Sequence, residues 1–394
     1  MSLRFYRPST PVGRRAAGKT SVPFVHTWSL SDSRIPNFFA KGANVAASKP
    51  VGYAVVGLGS IAEVAVLPAF RKSKKSRVVA LVSHELGRAK AMGKKFGVKD
   101  CYAYEDYDRC LRQPGVDAVF IASVNGAHAE QTIRAAAAGK HVLCEKPMAN
   151  RVEDCRRMVE ACRTNQVRLM IAYRKYFEPG SVALKKLVTS GKLGRLRHIF
   201  STYTEIVDPI KARHWQLNPQ LAGGGSLMDI GVYCVNTMRW LAGNSPLDAT
   251  AHAWTDDPQR FSGVEDSIAF RLTIPGGLVC QGTSSYSAMA ASFVQVHGDK
   301  GWAALNPAFA FEEERRLFGK IQGRWFEQKF KVIDEFVLEL DAFADSIRRR
   351  RDPEPDGMEG LRDIATIEAI YRSARENRTI SVESVSLEKV AIGA

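Results

Sequence analysis

Short apolar segments alternate with helical patterns along residues 51–173. Gly52–Gly57 is a strand of buried type that ends in glycine, and Ile61–Ser73 has the spacing of a helix. The alternation continues with strands predicted at Arg77–Ser83, Cys101–Tyr104, Ala118–Ser123, His141–Cys144 and Arg168–Tyr173, and helices at Gly87–Phe96, Ala127–Ala138 and Val152–Thr164. Such alternation is typical of a parallel sheet with right-handed crossovers. The sequence therefore predicts an α/β domain over residues 51–173.

From residue 174 onward the pattern changes to longer strands. They are predicted at His198–Ile206, Asp248–Thr255, Asp266–Ile274, Leu278–Ser287 and Ser292–Leu305, with helices near Ser181–Ser190, Ser226–Leu241 and Phe336–Arg350. Pro275-Gly276-Gly277 has the composition of a tight turn, so the two strands that it joins are expected to be antiparallel. Residues 174–394 are therefore predicted to form a second domain of α+β type.

Positive charge is concentrated at the N-terminal end of the chain. The net charge is +15 over 394 residues, and residues 1–50 contain eight Lys or Arg but one acid, Asp32. The smaller positive charge that the residues after 50 carry suits an enzyme that binds an anionic cofactor. The sequence contains neither zinc-finger spacing nor basic residues interleaved with aromatic ones, so nucleic-acid binding is not predicted. Residues 1–50 are interpreted as a basic flexible extension, or as an arm that packs on a partner subunit.

Cysteine usage and apolar runs bear on the location of the protein. The seven cysteines include no CxxC pair, which is typical of buried free thiols in a reducing compartment, and no metal site is predicted. Arg14-Arg15 is followed by polar residues and Pro23 rather than by an apolar segment, which disfavours an export signal. No apolar run is long enough to cross a bilayer. We expect a cytoplasmic protein, with a periplasmic location as the weaker alternative and no membrane partner.

A glycine-rich turn follows the first predicted strand. Gly57-Leu58-Gly59-Ser60-Ile61-Ala62 has the form GxGxxA and lies between a strand and a helix. The first glycine permits a tight turn, the second lets the backbone approach a pyrophosphate, and the small alanine permits close helix–strand packing. The N-terminus of the helix then meets the phosphates. The turn predicts a Rossmann dinucleotide site with contacts from Gly57, Gly59, Ser60, Ile61 and Ala62.

The end of the second predicted strand distinguishes NADP from NAD. An NAD-binding chain usually places Asp or Glu there, where the carboxylate binds the ribose 2′-hydroxyl. This chain has Ser83-His84, with Arg88 five residues after the serine. A hydroxyl and a guanidinium suit a 2′-phosphate, which a carboxylate would repel. NADP is therefore the predicted cofactor, and Glu85 leaves NAD open if the strand ends later.

Two later segments carry side chains that are suited to chemistry. Glu145-Lys146-Pro147 follows a strand whose carboxyl end faces the ligand crevice in a sheet of this type. Asp229, Tyr233 and Asn236 are spaced i, i+4 and i+7, so they share one face of a predicted helix. Taken singly, the Glu145–Pro147 segment can be interpreted as a turn at the end of a strand, and the polar helix face as a solvated surface. Together, behind a nucleotide fold, they indicate an active site.

With these motifs the sequence resembles the glucose–fructose oxidoreductase and inositol dehydrogenase family. The resemblance covers about residues 51–382 and lies in the GxGxxA turn, EKPMA at 145–149, AYR at 172–174, AGGGSLMDIGVY at 222–233 and SSYS at 284–287. Most members have histidine at the position of Tyr233. A tyrosine at this position resembles the glucose–fructose oxidoreductase-like subgroup. Two residues depart from the family pattern: Val124 replaces the proline that usually precedes Asn125, and Gln216 follows Trp215 where arginine is usual.

The resemblance implies an NADP-dependent oxidoreductase that oxidises a cyclic aldose at C1 to the lactone. It also implies a cofactor that can stay bound while a second sugar is reduced. The C-terminal domain would contain a large, mostly antiparallel open sheet that forms a dimer or tetramer. One alternative is an NADP-releasing dehydrogenase of xylose or another aldose, or of a dihydrodiol. A non-catalytic NADP-sensing regulator is the alternative of another class, against which the retention of Lys146 and Tyr233 argues.

A mechanism follows from the chemistry of the tyrosine. A phenol with a pKa of about 10 is a poor base at neutral pH unless an adjacent cation lowers that value. Tyr233 is predicted to be the acid/base, Lys146 to stabilise its phenolate and bind the sugar oxygen, and Asp229 to position Lys146 or a sugar hydroxyl. Further predicted cofactor contacts are Ser83, His84, Arg88, Asn125, Glu145, Lys146, Arg174 and Trp215. The predicted substrate contacts are Lys146, Tyr173, Asp229, Tyr233, His214 and Tyr286.

Overall fold

Six parallel strands form the first sheet of the computed structural model, which describes residues 49–207, 214–311 and 313–386. They are β1 (Val51–Val56), β2 (Ser76–Ser83), β3 (Asp100–Ala103), β4 (Ala118–Ile121), β5 (His141–Glu145) and β6 (Leu169–Ala172). The strand order β3-β2-β1-β4-β5-β6 is that of a Rossmann fold, in which the winding reverses between β1 and β4. The predicted parallel sheet is confirmed. Residues 1–48 of the predicted N-terminal extension lie outside the described residues.

Helices cover both faces of this sheet, because its central strands are apolar throughout. Every residue of β1 is buried, as a parallel strand with covered faces requires. The predicted helix at Ile61–Ser73 begins as a π-helical turn, Ala62–Val66, and continues as α1 (Leu67–Lys72). The other helices between these strands are α2 (Leu86–Phe96), α3 (Tyr107–Leu111), α4 (His128–Ala137) and α5 (Val152–Thr164).

Nine strands of the described chain form the second sheet. They are β7 (Leu196–Ile206), β8 (Asp248–Trp254), β9 (Ser267–Ile274), β10 (Leu278–Ser285), β11 (Ser287–Gly298), β12 (Gly301–Asn306), β13 (Arg315–Ile321), β14 (Arg324–Phe330) and β15 (Ile380–Ser381). Their order is β14-β13-β12-β11-β7-β10-β9-β8-β15. Neighbours are antiparallel except β7 and β10, which are parallel. The predicted large, mostly antiparallel open sheet is confirmed.

The helices of residues 174–394 make contacts with both sheets. They are α6 (Pro179–Thr189), α7 (Pro219–Ala222), α8 (Val232–Ala242), α9 (Glu335–Arg348) and α10 (Gly357–Glu376). The helix predicted at Ser226–Leu241 is a π-helical turn, Leu227–Gly231, followed by α8. None of the described helices is long and apolar enough to cross a membrane.

Helix α9 completes the core of the first sheet, although it comes late in the chain. Its apolar residues Phe336, Leu340 and Phe343 pack in the same buried cluster as Tyr53 and Phe70. Leu340 also accepts a hydrogen bond from the Ser76 hydroxyl through its backbone carbonyl, at 3.2 Å. The division of the chain at residue 173 did not anticipate this crossing. The two sheets therefore share helices rather than forming independent cores.

One predicted strand is wrong, because it contains a turn. The segment predicted as Ser292–Leu305 consists of β11 and β12, which pair with each other on either side of Asp299 and Lys300. The carboxylate of Asp299 accepts a hydrogen bond from the backbone N–H of Arg195 at 3.0 Å, which fixes the turn against the start of β7. The sequence analysis also missed β13 and β14, whose frequent charged residues obscure the apolar alternation.

The cysteines are all unpaired thiols. Six of the seven are buried and Cys101 is half-buried, so the predicted free thiols are confirmed. Burial raises the pKa of the Cys110 thiol to about 12, which keeps it protonated at neutral pH.

Candidate active site

The glycine-rich turn lies where the winding of the first sheet reverses. Gly57 has a φ of +88°, and a Cβ atom there would lie 2.4 Å from the backbone nitrogen of Ser123, which follows β4. No side chain fits between the ends of these two strands. Ala62 is fully buried at the start of the π-helical turn, which allows the turn to pack closely on β1. The chain thus presents a bare backbone turn and a helix start, the features that accept a pyrophosphate.

Arg88 lies beside this turn and is held there by two contacts. Its Nε donates a hydrogen bond to the carbonyl of Leu58 at 2.5 Å, and Nη2 lies 3.2 Å from the Glu63 carboxylate. Ser83, at the end of β2, is buried, and its hydroxyl accepts a hydrogen bond from the backbone N–H of Glu85 at 3.4 Å. A guanidinium and a hydroxyl therefore lie near the glycine-rich turn. This donor set fits the 2′-phosphate of NADP.

The remaining predicted cofactor residues occupy several positions around this crevice. Ser60 and Ile61 are half-buried in the turn, and the exposed ring of His84 packs edge-on against Tyr104. The buried amide of Asn125 donates to the carbonyl of Ala222 at 2.8 Å, so it joins the crevice to α7. The contacts of these four residues with a cofactor stay predictions.

Lys146 connects the two halves of the site. It follows β5, and its Nζ donates to the backbone carbonyl of Asp229 at 2.7 Å and to the Asp229 carboxylate at 3.2 Å. Asp229 lies within the π-helical turn that leads into α8. Burial alone would lower the pKa of Lys146, but the acidic groups of Asp229, Tyr233 and Glu145 together outweigh burial and raise the pKa above its ordinary value. The lysine is therefore a permanent cation at the carboxyl end of the first sheet.

Asp229 is held on both carboxylate oxygens. Oδ1 faces Lys146, while Oδ2 accepts hydrogen bonds from the Tyr286 hydroxyl and from the Gln216 amide, each at 2.8 Å. Burial by itself would raise the pKa of Asp229, but Lys146 and these two donors lower it below its ordinary value. Asp229 is thus a fixed anion whose geometry determines where the Lys146 ammonium lies.

Tyr233 lies one helical turn after Asp229 and faces the same lysine. The Lys146 Nζ is 5.1 Å from the centroid of its ring, within the range of a cation–π interaction. The ring stacks on Phe309 at a centroid distance of 5.6 Å, and Tyr203 packs beside both. Burial raises the pKa of Tyr233, and nearby cations partly offset this effect. The three predicted catalytic residues are therefore brought together in the structure.

Glu145 completes the EKP segment from inside the protein. Its side chain is buried, and one carboxylate oxygen accepts a hydrogen bond from the backbone N–H of Lys146 at 3.2 Å. Burial raises the pKa of Glu145, and the Lys146 charge opposes that shift. A cofactor contact by Glu145 stays a prediction.

Three predicted contact residues lie in the interior of the protein. Tyr173 is fully buried beside Tyr176, and its contact with substrate stays a prediction. Arg174 is 4% exposed and directs its guanidinium into the protein, to Glu335 and the carbonyl of Phe309, and its contact with a cofactor stays a prediction. Tyr286 is 1% exposed and its hydroxyl binds Asp229, which it helps to orient, and its contact with substrate stays a prediction.

The short helix His214–Leu217 carries two further predicted residues. Trp215 is half-buried there, next to Gln216. The side chain of His214 lies outside the described residues. Gln216 occupies the position where the resemblance led us to expect arginine, and the structure shows that its amide binds Asp229. Contacts of Trp215 and His214 with ligands stay predictions.

One carboxylate near the site, on β7, was not predicted from the sequence. Tyr203 and Glu205 are two residues apart on this strand, so their side chains are on the same face. Tyr203 packs on Tyr233. Burial raises the pKa of the half-buried Glu205, with Asp229 adding to the shift and Lys146 opposing it, which places Glu205 in the electrostatic surroundings of the site. The period-two pattern of the predicted strand His198–Ile206 was the signal that could have indicated it.

Comparison with known protein families agrees with this architecture. Residues 51–173 match the model of an oxidoreductase family with an NAD-binding Rossmann fold, and residues 181–304 match the GFO/IDH/MocA C-terminal domain. The chain belongs to this oxidoreductase family. The resemblance that the EKP and GGGSLMD motifs indicated is therefore confirmed.

Several members of the GFO/IDH/MocA family are similar over most of the chain. A D-xylose 1-dehydrogenase [NADP(+)] from Haloarcula marismortui is 31% identical over 86% of this chain and 95% of its own length. A trans-1,2-dihydrobenzene-1,2-diol dehydrogenase from Mus musculus is 31% identical over 60% of this chain and 69% of its own length. The crystal structure of an aldose-aldose oxidoreductase from Caulobacter crescentus, complexed with glycerol, is 39% identical with a TM-score of 0.80, and the match covers 84% of this chain and 100% of that one.

Proposed function

We propose that the protein is an NADP-dependent sugar oxidoreductase that oxidises a cyclic aldose at C1 to the lactone. The observation that carries the proposal is the position of the Lys146 ammonium, 3.2 Å from the Asp229 carboxylate and 5.1 Å from the ring centroid of Tyr233. This group lies at the carboxyl end of β5, where a dinucleotide fold presents bound ligands. A fixed cation next to a phenol is suited to moving a proton to and from a hydroxyl oxygen.

The residues divide the work between charge and proton transfer. Bound NADP supplies the acceptor for the hydride that leaves C1. Lys146 donates a hydrogen bond to the sugar oxygen O1 and stabilises the negative charge that develops there. The phenolate form of Tyr233 takes the O1 proton and becomes the neutral phenol, and Asp229 keeps Lys146 in place. Because these side chains are largely buried, little water competes for the proton.

The electrostatics of Tyr233 suit reaction in both directions. Burial raises its pKa and so favours the neutral phenol, which donates a proton when a carbonyl is reduced. Lys146 opposes that shift and favours the phenolate, which accepts a proton when a hydroxyl is oxidised. The net effect raises the pKa above its ordinary value, so Tyr233 rests as the neutral phenol that carbonyl reduction requires, while Arg174 and Lys146 stabilise the phenolate that hydroxyl oxidation requires.

Two observations support NADP as the cofactor. The Arg88 guanidinium is held against the carbonyl of Leu58 in the glycine-rich turn, and Ser83 rather than an acid ends β2. Glu85, the acid that left NAD open, is the N-cap residue of α2 and its side chain is exposed. The similarity to an NADP-dependent D-xylose dehydrogenase agrees with this choice.

The finer form of the proposal is sugar–sugar transfer with a cofactor that stays bound. The similarity to an aldose-aldose oxidoreductase at 39% identity favours it. An aldose dehydrogenase of xylose type that releases NADPH is the second candidate, favoured by the match to 95% of the Haloarcula enzyme. A dihydrodiol substrate is supported by the shorter match to the mouse enzyme. The Lys146–Tyr233 pair argues against a non-catalytic sensor.

The experiment that separates these candidates begins with protein purified without added nucleotide. An aldose is added, and the absorbance of reduced nicotinamide is followed. A rise equal to the protein concentration, reversed by a second aldose or a ketose, supports sugar–sugar transfer. Continuous turnover that requires added NADP supports the releasing dehydrogenase. If neither glucose nor xylose nor other aldoses give reduction with or without NADP, aldose oxidation is wrong.

We also propose that the outer face of the second sheet forms a homo-oligomer. Trp302 and Trp325 pack against each other on this face at a centroid distance of 5.9 Å, beside Phe318 and His297. Trp325 is 44% exposed, and an exposed aromatic surface of this kind is typical of a protein interface. Light scattering of the wild-type protein and of Trp325→Glu tests this surface. We expect a dimer or tetramer that dissociates in the variant, and a monomeric wild type would contradict the proposal.

A further inference from the structure

Tyr233 has a second cation against its ring. The guanidinium carbon of Arg174 lies 5.3 Å from the ring centroid, close to the 5.1 Å of the Lys146 ammonium. The two cations come from neighbouring parts of the first sheet, since Lys146 follows β5 and Arg174 follows β6. A cation within about 6 Å of an aromatic face is attracted to it. The ring of Tyr233 is therefore bordered by two positive groups.

Arg174 is held in place by partners that also border the tyrosine. Its Nη1 donates to the Glu335 carboxylate at 2.6 Å, and its Nη2 donates to the carbonyl of Phe309 at 2.7 Å. Phe309 in turn stacks on Tyr233 through its own ring. Glu335 begins α9 and is also paired with Lys175 and Arg315. Because Arg174 is 4% exposed, neither solvent nor a flexible loop determines its position.

We propose that Arg174 is a positioning residue for the Tyr233 acid/base, which it orients through the ring and biases toward the phenolate. This inference rests on the proposed function of Tyr233. The Lys146 ammonium has three N–H donors, of which Asp229 accepts two, so it can also bind the sugar oxygen. Both terminal nitrogens of Arg174, by contrast, are bound within the protein. Arg174 therefore supplies a constant positive field that does not change when substrate enters. In a buried site this field is weakly screened.

Other charged groups face Tyr233 and set the sign of the expected effect. Burial has the largest influence and raises the pKa of Tyr233; Arg174 is the strongest group that lowers it, followed by Lys146. Glu145 and the buried Glu339 of α9 act in the opposite direction. Tyr203, on β7, is a further titratable neighbour. Removal of Arg174 leaves the acidic groups less compensated, so the phenolate becomes harder to form.

The test compares three variants of the full-length protein loaded with NADP. Arg174→Met removes the cation, Arg174→Lys keeps a charge, and Lys175→Met is the matched control. Lys175 is buried and binds the same Glu335, but it makes no contact with the Tyr233 ring among the contacts of the described residues. The first readout is the pH profile of hydride transfer from an aldose. The limb of interest is the one in which the rate rises with pH as Tyr233 loses its proton. We expect Arg174→Met to displace this limb toward higher pH by about one pH unit or more.

The second readout does not depend on activity. Carbon-13-labelled tyrosine is followed by NMR as the pH rises, and the Tyr233 resonance is assigned by its absence in Tyr233→Phe. In Arg174→Met this resonance should titrate at higher pH than in the wild type, whereas Lys175→Met and Arg174→Lys should stay near the wild-type value. If Arg174→Met does not fold, Glu335→Gln serves instead. It removes the anion that offsets Arg174 and should move the limb toward lower pH.

The outcomes separate this inference from the proposed function. If Tyr233→Phe is inactive but Arg174→Met has an unchanged limb and resonance, the role of Arg174 is overturned while the acid/base stands. An equal displacement in Arg174→Met and Lys175→Met shows general disturbance of the Glu335 cluster and also overturns it. If Tyr233→Phe keeps wild-type hydride transfer, the acid/base assignment itself fails.

Discussion

The Lys146 ammonium lies 2.7 Å from the backbone carbonyl of Asp229 and 3.2 Å from its carboxylate, although 83 residues separate the two in sequence. Through this contact the end of the first sheet is joined to the π-helical turn that leads into α8. Tyr233 follows one turn later on the same helix, so the position of the phenol relative to the lysine is set by local helix geometry. The proposed active site depends on this junction between the end of β5 and the turn that leads into α8.

Asp229→Asn tests the junction. The amide keeps a similar shape but loses the charge that holds Lys146, so the ammonium is no longer fixed beside the ring of Tyr233. We expect kcat for aldose oxidation to fall about a hundredfold, the effect of misplacing a reacting group by about 1 Å. Gln216→Ala is the control, because it removes one hydrogen bond to Asp229 and leaves the ion pair intact. Its effect should be less than about tenfold. Equal activity of Asp229→Asn and wild type would contradict this role.

The parts of the fold that sequence analysis predicted are those with strong local signals. The GxGxxA turn, the apolar strands and the Pro275-Gly276-Gly277 turn are short-range patterns, and the structure contains the predicted sheet and the β9–β10 hairpin. Lys146, Asp229 and Tyr233 were also predicted together, because each belongs to a motif whose place in the fold is fixed by its neighbours. Their convergence is shown by the contacts at the end of β5.

The parts that sequence analysis missed depend on contacts between distant segments. Arg174 follows β6 and was expected at the cofactor, but its partner Glu335 lies 161 residues away and directs it into the protein. No local pattern indicates that α9 returns to the first sheet. The role of Gln216 has the same origin, since its acceptor Asp229 comes from another helix. Such ion pairs and hydrogen bonds become visible when both partners are placed in space.

The 2′-phosphate selectivity is tested by Arg88→Ala. A guanidinium–phosphate hydrogen bond contributes about 1.5–3 kcal/mol, so the Kd for NADP should rise by about tenfold or more while the Kd for NAD changes little. Lys90→Ala is the matched control, because it removes the same charge from an exposed position of α2. Nucleotide affinity is measured by calorimetry or by nicotinamide fluorescence. An equal loss of NAD and NADP binding in Arg88→Ala would show that Arg88 only supports the glycine-rich turn.

The buried His128 makes the stability depend on pH. Its ring nitrogens lie 3.0 Å from the carbonyl of Pro147 and 3.3 Å from that of Ser123, yet burial outweighs these acceptors and lowers the pKa of His128 to about 4. In the unfolded chain the value is about 6.5, so the unfolded state binds more protons between these values. The contribution of His128 is therefore complete above about pH 6.5 and is lost as the pH falls toward about 4.

Urea unfolding of the wild type and of His128→Gln checks this sign. From pH 7 to pH 5 we expect the wild type to lose about 2 kcal/mol more unfolding free energy than the variant, which lacks the titrating ring. NMR of the histidine ring gives the native pKa directly. A value at or above 6.5 would mean that the two carbonyl acceptors outweigh burial, and the predicted pH dependence would be wrong.

The glycine-rich turn provides a test based on space alone. Gly57→Ala places a Cβ atom 2.4 Å from the backbone of Ser123 at a φ of +88°, so we expect loss of nucleotide binding and a lower Tm. Gly87→Ala, in α2, is the control, because no atom lies within 4 Å of the new Cβ. It should leave binding unchanged and add at most about 1 kcal/mol of stability. Wild-type nucleotide affinity in Gly57→Ala would contradict the placement of the turn.

The central claim is that Tyr233 transfers the proton while an aldose is oxidised, and one measurement tests it most directly. Wild-type protein and Tyr233→Phe are loaded with NADP and mixed with the aldose that the wild type oxidises best, and nicotinamide reduction is followed in a single turnover. We predict that Tyr233→Phe binds NADP normally but that its rate of hydride transfer falls by about a hundredfold or more, the loss expected without general acid–base help. A variant with the wild-type rate and pH profile would contradict the account.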